Sequence, residues 1–149
     1  MAKSTFVYVT YIRTTPEKLW SALTTTEVIK QYWFGMRLDS DWKVGSTWRF
    51  YSDRGLMDSG EILESVSPKR LVRSWLCEWK PEFKAEGSSR CVYEIEPIGV
   101  SVKLEVTHSI ERRDSRFIEA VSESWPMCMS NLKSLLETGG VALTDHPGH

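Results

Sequence analysis

Residues 100–137 read VSVKLEVTHSIERRDSRFIEAVSESWPMCMSNLKSLLE, and two periodicities meet inside this stretch. Val100, Val102, Leu104, Val106, His108 and Ile110 alternate with Ser101, Lys103, Glu105, Thr107 and Ser109. That is the period of two of a strand with one buried and one wet face. From Phe117 onward the spacing changes: Phe117, Val121, Trp125, Cys128, Leu132 and Leu135 or Leu136 recur every three to four residues. They line one face of a helix of about six turns, which must be gripped by a sheet. Pro126 falls inside it, and its missing N–H and ring clash predict a kink or a broken start near Ser124–Trp125. Thr138-Gly139-Gly140 supplies the stop, and Val141–His149 reads as a polar tail free to fray.

Upstream of this pair the chain is mostly strand. The segments 36–39, 47–52, 59–66, 71–79 and 89–97 are β-rich runs separated by Asp53-Arg54-Gly55, Ser67-Pro68-Lys69-Arg70 and Pro97-Ile98-Gly99, all turn sequences. Phe6, Tyr8, Thr10 and Ile12 against Val7, Val9, Tyr11 and Arg13 make a first strand. Helix-start signals follow: Thr14 and Glu17 have capping-box spacing, while Thr15-Pro16 offers a rival cap with Pro at the first helical position. Leu19, Trp20 and Leu23 share a face of that helix, and a second short helix runs from Thr26-Glu27 to about Tyr32. The order is β-α-α-β6-α. This is an α+β fold in which a curved antiparallel sheet of about seven strands grips the long C-terminal helix, and a doubly wound sheet is excluded for want of alternating helices.

With 149 residues and no linker or repeat, residues 1–140 read as one domain. Nineteen Lys plus Arg against 20 Asp plus Glu leave no basic excess for nucleic acid or anionic lipid. No run approaches a membrane span or a signal peptide, and Cys77, Cys91 and Cys128 show no disulfide or CxxC pattern, so a reduced, cytoplasmic protein is expected.

An ordered set of motifs carries a family resemblance. It comprises Thr15-Pro16-Glu17-Lys18-Leu19-Trp20, Tyr32-Trp33-Phe34, Gly45 with Trp48-Arg49-Phe50, Gly60-Glu61-Ile62, Pro68-Lys69-Arg70-Leu71-Val72 with Trp75, Val92-Tyr93-Glu94-Ile95-Glu96-Pro97, Leu104-Glu105-Val106-Thr107-His108-Ser109, and Trp125 with Leu132-Lys133 and Leu135. Over about residues 6–138 the chain resembles the START-like, or SRPBCC, helix-grip superfamily, and within it the activator of heat-shock-protein-90 ATPase homologue family. The resemblance implies a Bet v-like fold with an apolar cavity between sheet and helix. It also implies either a small hydrophobic ligand or a chaperone partner with a stress-response role. The loop Lys80–Gly87 departs from the family pattern and is a candidate lid or rim.

Seven tryptophans are the compositional outlier. Trp33, Phe34, Trp48, Phe50, Trp75, Trp79, Tyr93 and Trp125 are candidate cavity walls, about half of them expected to touch the cavity and the rest to fill the core, with Trp33 and Phe34 at the rim. Met127 and Met129 are candidates for an adaptable helix wall. His108 lies on the apolar parity, either as a polar contact or general base for a ligand, or as a packed histidine bonded to a backbone carbonyl. Arg73 shares parity with Leu71, Trp75, Cys77 and Trp79. Facing inward it needs an anion, such as a ligand carboxylate or phosphate; otherwise it faces outward or pairs with a strand acid. The opposite parity, Val72, Ser74 and Leu76, is too apolar to decide. Trp42 is expected to face solvent. No nucleophile elbow, Walker motif, dinucleotide fingerprint or zinc motif is present, so no catalytic residue, metal or cofactor is implied. The expected function is binding or sequestration of a small hydrophobic or amphipathic molecule. A co-chaperone-like interaction module and a cyclase- or hydrolase-type enzyme are the alternatives, and a homodimer is compatible with all three.

Overall fold

The computed structural model describes residues 3–145. Its elements run β1 (Ser4–Ile12), α1 (Pro16–Thr24), α2 (Thr26–Tyr32), β2 (Arg37–Ser40), β3 (Thr47–Ser52), β4 (Gly55–Val66), β5 (Arg70–Cys77), α3 (Pro81–Lys84), β6 (Ser89–Ile98), β7 (Ser101–Ile110) and α4 (Arg116–Thr138). The seven strands form one antiparallel sheet in the order β1-β7-β6-β5-β4-β3-β2, so the helix-grip arrangement read from the sequence is the one observed. Only α3, one turn in the loop after Trp79, was not anticipated.

Local chemistry accounts for the boundaries. Thr15, not Thr14, caps α1: its Oγ1 accepts from Lys18 N at 3.2 Å and Pro16 takes the first helical position. Ser115 caps α4 by accepting from Ile118 N at 3.0 Å. The Glu86 carboxylate sits on the same helix end, accepting from Arg116 N at 2.9 Å and from the Ser115 hydroxyl. A negative charge there complements the helix dipole and ties the departing loop to α4. Gly139, at φ 86°, ends the helix by donating its N–H to Leu135 O. α4 runs unbroken through Pro126, so the expected broken start does not occur. The apolar stripe packing on β1 and β7 is long enough to hold the helix across one missing hydrogen bond.

The core lies between the inner sheet face and α4, with Ile12, Trp48, Phe50, Ile62, Leu71, Val102, Leu104 and Val106 from strands meeting Trp125, Met129 and Leu132. β5 turns Leu71, Arg73, Trp75 and Cys77 inward, which settles the parity that composition left open.

The tail departs from expectation as far as it is described. Asn131, fully buried on α4, donates Nδ2 to Leu143 O at 2.9 Å and accepts from Leu143 N at 2.7 Å. Residues 141–145 are therefore folded back and pinned, not frayed; His146 and His149 lie outside the described residues.

Trp42 is half-buried against the core, whereas Trp79, just past the end of β5, is 52% exposed. Iodide is expected to quench chiefly Trp79, so that Trp79→Phe removes most of the quenchable emission. If Trp42→Phe removes it instead, these two placements are reversed.

Candidate functional site

A cavity of about 490 Å3 opens where five parts of the fold meet. The α2–β2 turn contributes Trp33, Phe34 and Met36. The β3–β4 hairpin contributes Ser52, Asp53, Met57 and Asp58, and β5 with the following loop gives Trp75, Cys77, Trp79 and Phe83. The first half of α4 closes it with Phe117, Ala120, Val121, Ser124, Trp125 and Cys128, and Thr144 and Asp145 of the pinned tail complete the wall. The volume is that of a site for a small organic molecule.

Local backbone explains the rim. After α2, Phe34 (φ 52°) and Gly35 (φ 79°) are both left-handed, which turns the chain sharply and sets Trp33 and Phe34 against the cavity. The Trp33 ring meets Phe50 at 5.0 Å and Trp125 at 5.2 Å, and Trp75 meets Trp48 at 4.9 Å. One connected aromatic cluster thus forms the floor of the cavity and continues into the core.

Of the twelve residues singled out from the sequence, Trp33, Phe34, Trp75, Trp79 and Trp125 line the cavity. Trp48, Phe50, Arg73, Tyr93, His108 and Met129 lie beneath it, all buried. Met127, half-buried, is not on the wall either.

His108 is fully committed within the core. Its Nδ1 accepts from Trp125 Nε1 at 3.1 Å, which places the proton on Nε2. Nε2 donates to Ser89 Oγ at 2.8 Å, and Ser89 Oγ donates to Trp75 O at 3.0 Å. Its partners are side chains, not the expected backbone carbonyl. Burial, and secondarily Arg73, holds the imidazole down to about 3, so it stays neutral near pH 7 with no ring nitrogen left for a ligand.

Arg73 faces inward without a carboxylate against it among the described residues. Its guanidinium carbon lies 4.5 Å from the Trp48 ring and 4.6 Å from the Trp75 ring, and Nη2 donates to Tyr93 Oη at 3.1 Å. The Cys91 thiol, a weak acceptor, adjoins it, and Nε and Nη1 have no full hydrogen bond among the described residues. The charge is carried by indole faces instead of an anion, an arrangement that strand parity cannot reveal.

Asp58, which sequence reading passed over, is the polar group with the most unusual chemistry on the wall. Its Oδ1 accepts from Trp75 Nε1 at 3.0 Å, and burial raises the carboxyl to about 6 despite that bond and the pull of Arg73. Across the strand pair stands Cys77, whose thiol burial pushes up, so it is protonated and not an activated nucleophile. Among the described residues no group of three or more His, Cys, Asp or Glu is placed to hold a metal ion, and no helix is long and apolar enough to cross a membrane.

Comparison with known proteins follows the same lines. Protein MLL2253 from Mesorhizobium loti superposes with a TM-score of 0.79 at 28% identity, over 90% of this chain and 97% of that one. The Aha1 dimer of Colwellia psychrerythraea gives 0.76 at 20% identity, over 91% and 98% of the two chains. PFC0360w, an HSP90 activator from Plasmodium falciparum, gives 0.74 at 20%, over 89% and 95%. No curated protein matches. The sequence profile described as Activator of Hsp90 ATPase homolog 1-like protein matches residues 13–137, and this chain belongs to that family.

Proposed function

We propose that the chain binds a small, largely apolar molecule between its sheet and its C-terminal helix. The observation that carries this is the aromatic-lined cavity of about 490 Å3, which the packing of α4 leaves beside Trp33, Trp75 and Trp125 instead of filling. Affinity comes from apolar area removed from water, worth about 25 cal/mol per Å2, and rigid indole walls hold a ligand with little ordering cost. Native mass spectrometry of the freshly purified protein, against its denatured mass, is expected to show an adduct of low molecular mass. In a complementary titration, neutral N-phenyl-1-naphthylamine is expected to bind, and Ala120→Trp, which projects an indole from α4 into the cavity, to abolish that binding without unfolding the protein. Undiminished binding in a folded Ala120→Trp variant counts against the site.

A second reading, interaction with Hsp90, is supported by the family and by the likeness to the Plasmodium falciparum activator. A pull-down with Hsp90 followed by an ATPase assay tests it, and absence of both capture and stimulation removes it.

A further inference from the structure

The charged side chains on the cavity wall are of one sign. Asp53 and Asp58 reach it from the β3–β4 hairpin and Asp145 from the pinned tail, while the described lining residues include no lysine, arginine or histidine. The whole chain is nearly neutral, with 19 basic against 20 acidic residues, so this bias is local.

Beside the carboxylates stand three indoles that touch one another: Trp33 and Trp125 at 5.2 Å, Trp75 and Trp125 at 5.8 Å, Trp33 and Trp75 at 6.2 Å. Indole faces carry negative potential and attract cations, most strongly where water is excluded. The fold already uses this attraction: Arg73 rests on Trp48 and Trp75 with no carboxylate paired to it among the described residues, and Lys80 Nζ lies 4.7 Å from the centre of the Phe83 ring. Asp58 is joined to the same cluster through Trp75 Nε1, and its Oδ2 accepts no hydrogen bond among the described residues. An anionic ligand would bring its charge against three carboxylates, and a neutral one would leave Asp58, the most shielded of them, without a counter-charge.

Taking the cavity as a ligand site, we propose that its ligand is an organic cation. It is an amphipathic amine or quaternary ammonium compound whose apolar body fills the ring-lined space and whose charge lies between the indoles and the Asp58 carboxylate. Lysine-like or inorganic cations do not meet the requirement, because most of the wall is apolar.

The carboxyl at about 6 adds a pH signature. Around Asp58 stand Trp75 and Cys77 on β5, with Arg73 and Glu78 acting through space, and Asp53 and Asp145 on the same wall. Asp58 is charged at pH 7.5 and becomes neutral as pH falls toward 5, taking with it the counter-charge for a cation.

The test is calorimetric titration with three probes sharing one apolar body: (2-naphthylmethyl)trimethylammonium, 2-naphthylmethanol and 2-naphthylacetate. At pH 7.5 the cation is expected to bind at least about tenfold tighter than the alcohol, and the acetate most weakly. Asp58→Asn, which keeps an oxygen for the Trp75 N–H, is expected to erase most of the cation's advantage over the alcohol. Wild type at pH 5 is expected to behave likewise. Asp145→Asn, at an exposed position, gives a smaller loss and serves if Asp58→Asn fails to fold. Equal affinity for cation and alcohol, a preference for the acetate, or a cation advantage that survives both substitutions overturns the charge assignment and leaves the cavity reading standing. Binding of none of the three overturns both.

Discussion

Gly60→Ala is expected to lower the melting temperature by roughly 6–12 °C, or to prevent folding, because a Cβ there has no room on either side. It would stand 1.9 Å from the Ser74 carbonyl oxygen and 2.4 Å from Trp48 Nε1. The crowding has a specific cause. Trp48 on β3 is paired with Gly60 on β4, and its indole passes over that glycine to donate to Ser74 O of β5 at 2.8 Å. One of the two contacts is backbone, and the other is a fully buried indole with the Arg73 guanidinium stacked on it, so neither yields cheaply. Overpacking of this kind costs about 3 kcal/mol or more, and in a chain of this size each kcal/mol moves the melting point by about 2–4 °C. Differential scanning calorimetry decides it: a melting point within 2 °C of wild type would mean that the indole can swing away, and the tie across three strands would be dispensable.

The second large effect concerns acid. His108 is neutral in the fold and held at about 3 against an ordinary 6.5, so between these values the unfolded chain binds a proton that the folded chain refuses. Stability from this residue is complete above about pH 6.5 and lost progressively as pH falls toward 3. The loss comes to about 2 kcal/mol by pH 5 and about 3 kcal/mol by pH 4. Asp58 acts in the opposite sense. Its carboxyl is raised from 3.8 to about 6, so in that window the folded chain holds the extra proton and acidification favours the fold. The two partly offset in wild type, which is why variants reveal them. The advantage of wild type over His108→Gln is expected to shrink by about 2 kcal/mol between pH 7 and pH 5, as measured by denaturant unfolding. Its standing against Asp58→Asn is expected to improve over the same range by about 1 kcal/mol. A stability gap to His108→Gln that is flat with pH would show that the imidazole protonates in place.

The fold was legible because its signals are periodic and redundant. Alternation along β7, the stripe from Phe117 to Leu135 and the glycine-bearing turns each repeat one message several times. The cavity was less legible because its wall is assembled from single residues on separate elements. Asp58 and Cys77 meet only through the register of β4 and β5, and Ala120 and Asp145 join them only through α4 and the returning tail. Two clues were present nonetheless. Asn131 interrupts the apolar face between Cys128 and Leu132, and a polar side chain buried there must find backbone partners, which it does in Leu143. Gly60 sits between strand residues where nothing turns, a sign of close approach by another group. For Arg73 and His108 the sequence offers parity alone, and parity does not distinguish a side chain lining a void from one sealed under an indole.

The strand order also sets a timetable. β1 is bonded along its length to β7, with Ser4 opposite Ile110 and Ile12 opposite Val102, and it has no other strand neighbour among the described residues. On a ribosome making about 5–20 residues per second, the first strand waits several seconds for a partner nearly a hundred residues away. Throughout that wait Phe6, Tyr8 and Ile12, together with Val7, Val9 and Tyr11, stand in an unpaired, β-prone segment. Nascent chains stalled before β7 has emerged are therefore where chaperone capture or aggregation of this protein should concentrate, and the released chain is where it should cease.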